Sequence, residues 1–456
     1  MTGDAAPREP RAAWGSVWRF LSAQTCSSVG ALALTTVLGK VVFDLTDSEL
    51  ALGILGLVEF LPSLLLVLVS GTLADRLDRR RLASAALVLE AVAAASLAWY
   101  ISTDPTSATP IFLMVLVFGI ARAFAAPAVR SMPADLVPHA TLPWLTVRYS
   151  AVWQISAILG PVLGGVLYVV EPSLPFVVVT LLFATAAFGI TTVRYAEHAR
   201  SARERLAAER EDLRTKRTSE TGRSNTLHEA LEGYRFIRRE PVLLGAITLD
   251  LMAVLFGGAI ALLPAIAEDR LGVGAVGLGW LRAATGIGAA IMTITLAIKP
   301  VRRHIGVVLL FAVAAFGIFT VVLGVTTSFA VAFVALAVLS AADAISVYIR
   351  ATLVPLVTPA LMRGRVLAME MVLIGASNEL GAFESGVTGQ LFGPAIAIVI
   401  GGVASVIVAV GWWFGFPDLR KTDRFPGFDD TGEPPKGVDS AVLQPEWIES
   451  EMPFQE

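Results

Sequence analysis

Gly71-Thr-Leu-Ala-Asp75-Arg76-Leu-Asp78-Arg79-Arg80-Arg81 separates two long apolar stretches, 49–70 and 82–102. The first holds Glu49 and Glu59 as its only charged residues, the second Glu90 alone. About 20 mostly apolar residues let an α-helix cross a hydrocarbon core of roughly 30 Å. Four arginines in so short a connector cannot enter that core, because each charge would lose its hydration there. The segment therefore reads as two membrane-crossing helices joined by a polar hairpin at one surface. Reading outward for stretches of the same kind gives twelve in all: 18–40, 49–70, 82–102, 110–131, 143–169, 174–193, 241–264, 275–298, 305–325, 329–352, 366–391 and 394–416. Trp, Tyr, Pro and Gly cluster at many of their ends, where interfacial rings and chain reversals belong. The first stretch is longer than a signal-peptide core, and Gly39-Lys40-Val41 is no small-residue cleavage site, so a retained helix is expected.

Composition points the same way. Hydrophobic residues make up 55% of the 456 and charged residues 16%, where about 25% is usual. Mean hydropathy is +0.71. A net charge of −3 leaves no global basic footprint for nucleic acid. One cysteine, Cys26, rules out a disulfide framework and is read as inert filler. The four histidines (His139, His198, His228, His304) all lie in polar stretches, so no metal site within the membrane is expected.

Lysine and arginine accumulate on cytoplasmic loops. With both termini placed on that side, 31 of the 35 basic residues fall there, Lys40 and Arg270 fall outside, and Arg122 and Arg282 lie within spans. The polar segment 194–240 has no equal among the loops. Within it, Glu197–Arg214 reads as a solvated helix and Thr215–Asn225 as a looser connector. The halves on either side echo each other. At an offset of 220, Arg130 matches Arg350 and Leu136-Val137 matches Leu356-Val357; at 221, Leu159-Gly160 and Gly165-Val166 match Leu380-Gly381 and Gly386-Val387. The expected fold is an all-α membrane protein of twelve transmembrane helices in two pseudo-symmetric six-helix bundles, both termini cytoplasmic. Its parts are a tail (1–17), a bundle (18–193), the linker (194–240), a second bundle (241–416) and a polar tail (417–456).

The Gly71–Arg81 loop resembles the signature of the major facilitator superfamily, Gly-x-x-x-Asp-Arg-x-Gly-Arg-Arg between the second and third helices, with Asp78 where that pattern has glycine. The resemblance implies a latch that clamps the halves in the outward-facing state, made by Gly71, Asp75, Arg76, Arg79 and Arg80. Asp75 would accept from a helix N-terminus or an arginine of the other half. Positive-inside topology alone explains the arginines but not an aspartate at that spacing. In the fifth span, Gly160-Pro161-Val-Leu-Gly164-Gly165 is similar to the antiporter motif Gly-Pro-x-x-Gly-Gly of exporters in this superfamily, with Ser156 in place of a further glycine. Glycines let a neighbouring helix approach and Pro161 frees a carbonyl, so helix packing is the other reading. Asp250, Leu262-Leu-Pro264, Arg350, Arg363-Gly364-Arg365 and Gly375–Gly386 resemble the bacterial drug/proton antiporter branch that includes macrolide efflux proteins and the enterobactin exporter. The likeness covers roughly residues 14–420.

Ionisable groups inside a membrane are functional candidates by default. Glu59, Arg122, Asp250, Asp343, Glu379 and Glu384 sit deep in their spans; Glu90 and Arg282 lie nearer span ends. By the superfamily's architecture Arg122, Asp250 and Asp343 would face a central cavity, with Glu59, Glu379 and Glu384 flanking it and Glu90 structural on an outer helix. Arg122 is open to two roles, proton coupling or an ion pair with Glu59. Glu384 is read as the counterpart of Gly164. Each carboxylate is alternatively a satisfied helix–helix hydrogen bond. Gln24, Ser28 and Thr35 share one face of the first span, and Trp153 and Gln154 would add a ring and an amide in the fifth, giving a sparse, mostly apolar cavity for amphipathic substrates. Asp343, Ser346 and Arg350 share a face of the tenth span.

These features set an expectation of proton-coupled export of amphipathic small molecules, drug-like or siderophore-like, by alternating access in a bacterial plasma membrane. The partners expected are a small-molecule substrate, protons and the lipid bilayer, with no cofactor, no metal, no nucleic acid and a monomeric chain. Import by the same fold is the alternative, and a non-transporting sensor or scaffold a more distant one. No Gly-x-x-x-x-Gly-Lys-Ser/Thr loop and no nucleophile–base–acid set is present, so an enzyme is not expected.

Overall fold

The computed structural model describes residues 11–137, 141–194, 226–359 and 362–426, all helical or in short connectors. Numbering only the helices of membrane-spanning length, these are α1 (Arg11–Thr46), α2 (Glu49–Arg76), α3 (Arg79–Ile101), α4 (Thr109–Ser131), α5 (Leu142–Val170), α6 (Leu174–Thr192), α7 (Pro241–Phe256), α8 (Gly274–Ile298), α9 (Ile305–Val325), α10 (Phe329–Val357), α11 (Arg363–Phe392) and α12 (Pro394–Gly415). The expected twelve spans are present. Most run further than hydropathy alone suggests, because backbone hydrogen bonding continues past the apolar stretch into the interface. Apolar side chains such as Leu65, Trp99, Leu113, Ile298 and Phe414 stand exposed, as a bilayer-facing surface requires.

The seventh span departs from the expected continuous helix over 241–264. It winds regularly to Phe256, breaks at Gly257-Gly258, and continues through a 3₁₀ turn, Ala259–Leu262, and a π-helical turn, Ile266–Arg270. Close packing requires glycine at both positions of the break. A Cβ on Gly257 would strike the Phe316 ring of α9, and one on Gly258 would lie 2.6 Å from Ser385 Oγ of α11.

Asp78, the departure from the family pattern, is the N-cap of α3. Its Oδ1 accepts from the Arg80 backbone N–H at 2.9 Å, and its carboxylate pairs with the Arg80 guanidinium at 2.9 Å. A capping carboxylate there satisfies an orphan amide and complements the helix dipole, which a glycine does not.

Within the first six helices α1 packs with α5 and α6, α3 with α4 and α6, and α2 with α4. Within the last six α8 and α9 pack with α10, α9 with α12, and α7 with α11 and α12. The two sets meet where α2 crosses α11 and α5 crosses α8. Inside the expected linker, Thr226–Arg239 is a helix lying along α11 and α7, with Ile237 buried and Glu232 paired with Arg365. The stretches read as a solvated helix (197–214) and a connector (215–225) lie outside the described residues.

Candidate functional site

Both crossings are made by backbone meeting backbone. In α5, Gly160 and Gly164 face α1: Cβ atoms there would lie 2.8 Å from Leu32 Cβ and 2.9 Å from the Ala33 carbonyl. Gly165 faces the Ala275 carbonyl of α8, and a Cβ on Gly279 of α8 would in turn come within 2.6 Å of the Pro161 carbonyl. Pro161 has no N–H to bond the carbonyl of Ala157, and a Cβ on Gly286 of α8 would lie 3.0 Å from that oxygen. The repeat seen in the sequence reappears here in space. Gly381 of α11 lies against α7, where a Cβ would be 2.7 Å from the Val254 carbonyl, as Gly160 lies against α1. Gly386 faces Gly53 of α2, whose Cα would be 2.8 Å from a Cβ, as Gly165 faces α8. Gly164 therefore corresponds to Ser385, which packs beside Gly258, and not to Glu384 as expected.

These crossings run from mid-depth toward one end of the molecule, the end bearing the connectors 47–48, 171–173 and 271–273. Polar contacts close the same end. Lys40 pairs with Asp44 and, across the two sets, with Glu268 at 3.1 Å. Tyr168 donates to Asp44 at 2.8 Å, and the Ser48 hydroxyl donates to the Gln390 amide oxygen at 2.6 Å. Sequence reading does not select Lys40, Glu268, Ser48 or Gln390. Lys40 and Arg270, the two basic residues that the charge count leaves apart from the Lys/Arg-rich loops, are the available signal.

Between the sets at mid-depth lies a group of charges. Glu59 of α2 is within electrostatic reach of Arg122 (α4), Arg282 (α8) and Glu379 (α11). Gly119 admits the Glu59 backbone against α4, and Glu379 stands beside Gly56 of α2, 3.1 Å from where its Cβ would be. Arg282 lies beside Gly39 of α1 and has a buried Nε with no hydrogen-bond partner. The partner of Arg122 within ion-pair distance is Glu90 of α3, not Glu59: Nη1 to Oε1 is 3.8 Å, and Glu90 has no exposed surface. The rotation of α3 that turns Glu90 inward is fixed by its packing on α4 and α6, which the spacing of one carboxylate in an apolar helix does not reveal.

A second group sits within the last six helices. Arg350 of α10 pairs with Asp250 of α7 at 2.8 Å and with Glu370 of α11 at 3.4 Å, and Ser346 donates to Asp250 at 2.9 Å. All four are buried. Asp343, one turn above Ser346, lines with Asp250 and Ser346 a pocket with room for about one water molecule. Sequence reading misses Glu370, which sits close to the basic start of α11 and resembles an interfacial residue. Among the described residues, Glu59, Asp343 and Glu379 have no hydrogen-bond or ion-pair partner, whereas Glu384 accepts from Thr388 of its own helix at 2.7 Å.

The expected substrate-facing groups are placed variously. Ser28 is buried and accepts from Gln24 at 2.9 Å, while Thr35 donates to the Leu32 carbonyl, so this stripe is satisfied within α1. Gln154 donates to the Gly286 carbonyl at 2.6 Å, tying α5 to α8 rather than facing open space. Trp153 is 49% exposed. Of the latch motif, Arg79 bonds the Ser131 carbonyl and Asp135, and Arg80 bonds the Val193 carbonyl and Asp78, all within the first six helices. Helix α2 runs through Gly71, Asp75 and Arg76, whose side chains lie outside those described.

The family model described as Major Facilitator Superfamily matches residues 20–306. A curated relative from Bacillus subtilis (strain 168), the uncharacterized MFS-type transporter YfiS, is 29% identical over 314 residues, 68% of each chain. Among solved structures, a bacterial homolog to the human lysosomal transporter Spinster, in an inward-facing and unoccupied conformation, is similar at a TM-score of 0.62 and 14% identity, covering 90% of this chain and 97% of that one. A mutant of the peptide transporter POT is similar at 0.67 and 12%, covering 91% and 99%. The D-xylose-proton symporter is similar at 0.63 and 15%, covering 89% and 98%. At these identities the structures share the fold.

Proposed function

From the premise that this chain belongs to the Major Facilitator Superfamily, whose members are membrane transporters and not enzymes, we propose that it exports amphipathic small molecules, drug-like or siderophore-like, by proton-coupled alternating access. The observation that carries this reading is the mid-depth charge group. Glu59 and Glu379 stand on the two helices that cross between the sets, α2 and α11, and neither has a described partner. A carboxylate outside ion-pair distance of any described cation can take a proton from water on one side and release it to the other once the halves have moved. Asp343 has the same freedom. Asp250 does not, since releasing it means breaking two bonds, to Arg350 and Ser346.

With the Lys/Arg-rich loops on the cytoplasmic side of a bacterial plasma membrane, the sealed end is external and the conformation is inward-facing. The Gly71–Arg81 latch then engages on switching to the outward-facing state, and Arg79 and Arg80 exchange their present partners for groups of the other half. Export is favoured over import by the Gly160–Gly165 resemblance. A ligand shifts such an equilibrium only if it prefers one state, so substrate and proton must each bind one face better.

The test uses inside-out vesicles holding a proton gradient, read by a pH-sensitive dye, with lipophilic cations, macrolides and catecholate siderophores added in turn. Substrate-evoked proton leak in wild type, lost in Glu379→Gln or Asp343→Asn, supports the proposal. Binding of a panel member with no proton movement overturns coupling for that ligand, and uptake driven in the opposite direction would establish import.

A further inference from the structure

We infer that the Arg194 end of α6 carries a binding site for a two-chain anionic phospholipid. A groove of about 940 Å³ opens between α1 and α6. Its floor is low because Gly189 faces Ala23, where a Cβ would come within 3.0 Å of the Ala23 Cβ. Trp18 and Phe188 form its walls and are 58% and 71% exposed.

Three arginines, Arg19, Arg80 and Arg194, gather at the polar end of this groove, and none of its described lining residues is acidic. Arg19 donates to the Thr192 carbonyl at 3.3 Å, and Arg80 donates to the Val193 carbonyl at 2.9 Å while holding Asp78. The last carbonyls of α6 thus fix two guanidinium groups in place beside exposed Arg194.

A second groove of about 500 Å³ runs along the other side of α6, against α3. It is lined by small apolar residues, Ala85, Ala91, Ala95 and Ala184 among them, and shares Phe188 and Thr191 with the first. The end of α6 is therefore a ridge with an apolar channel on each side and guanidinium groups at its head. One phosphodiester at the arginines with an acyl chain in each channel satisfies all three features. Guanidinium groups recognise phosphate oxygens through paired N–H donors, and the ends of spanning helices lie at headgroup level.

The full chain is reconstituted in phosphatidylcholine vesicles containing brominated phosphatidylglycerol or brominated phosphatidylcholine at matched mole fractions. The difference in tryptophan quenching between wild type and Trp18→Phe isolates Trp18. At low salt, brominated phosphatidylglycerol is expected to quench Trp18 at a mole fraction lower by about fivefold per participating arginine. Arg19→Gln with Arg194→Gln should abolish that preference, and Arg19→Lys with Arg194→Lys should retain it. Equal quenching by both lipids in wild type overturns the site, as does a preference that survives the double glutamine variant. Loss of the preference on adding inorganic phosphate, but not on adding chloride to the same ionic strength, would assign the arginines to a soluble anion and overturn the lipid. Quenching that appears only after Glu204, Glu209 and Glu211 are replaced by glutamine would put the chain's own linker in the groove, and would overturn the lipid as well.

Discussion

The carboxylate of Glu90 faces the guanidinium of Arg122 at 3.8 Å with no exposed surface, and neither of its oxygens has a hydrogen-bond partner. Charge alone holds this pair together, so its two ends are unequal. Arg122→Gln strands a buried carboxylate, whereas Glu90→Gln leaves an arginine that is 31% exposed and able to reach water. Arg122→Gln is expected to destabilise by about 2–4 kcal/mol and Glu90→Gln by less, with the double variant recovering part of the loss. Thermal melting of the four proteins in one detergent checks this; equal losses in the single variants would refute it.

Arg350 serves two carboxylates at once. Replacing it with glutamine leaves Asp250 and Glu370 buried near each other without a cation, so Arg350→Gln should cost more than Asp250→Asn or Glu370→Gln alone, about 3–5 kcal/mol. Because the three residues join α7, α10 and α11, transport should fall with stability in all three variants. Full transport by a folded Arg350→Gln protein would show that the network is dispensable to the cycle.

Ser48 and Gln390 close one end across the two sets. In a Cys26→Ser background, Ser48→Cys with Gln390→Cys is expected to form a disulfide under mild oxidant and to stop transport, with activity returning on reduction. Rapid cross-linking without loss of transport would mean that this end does not open during the cycle.

Beyond α12 the chain folds back on the start of α9. Asp423 accepts from the His304 backbone N–H at 3.0 Å and from its imidazole at 2.8 Å, with Arg303 and Arg424 nearby. These donors hold its carboxyl below the ordinary aspartate range of about 3.9. A lowered folded-state pKa adds stability that is complete above the unfolded value and disappears as pH falls through the folded one. Amide exchange over 417–426 should therefore be flat from about pH 5 to 8 once corrected for intrinsic rates, and rise below about pH 4. Asp423→Asn should raise it at neutral pH. Unchanged exchange in that variant would show that the Gly306 N–H, which donates to the Thr422 carbonyl, suffices to dock the segment.

Hydropathy and loop arginines make the twelve spans and their grouping legible, because length and charge are properties of one helix at a time. The Leu-Gly and Gly-Val matches at offset 221 are legible for the same reason; in space the Gly-Val pair marks the two crossings, and the Leu-Gly pair marks equivalent contacts inside each set, on α1 and α7. Relations between helices are hidden. Which carboxylate meets Arg122 depends on the rotation of α3, and whether Gln154 faces a cavity or the Gly286 carbonyl depends on how closely α8 approaches. The break at Gly257-Gly258 is marked by its glycines, but the neighbours that require glycine there, Phe316 and Ser385, lie on α9 and α11. Glu370 is easily passed over because it follows the Arg363 and Arg365 cluster, where a carboxylate is ordinary until Arg350 is seen beside it.

At Gly53 against Gly386 and at Gly165 against Ala275 the two sets meet backbone to backbone. Two such contacts, related by the internal repeat, act as paired bearings on which one set of helices can roll over the other. The energy difference between states is then left to polar groups such as Lys40 with Glu268, while the glycines govern how fast the change occurs. A bulky residue at either bearing should add friction, and one at both should jam the rotation even where every polar contact is intact.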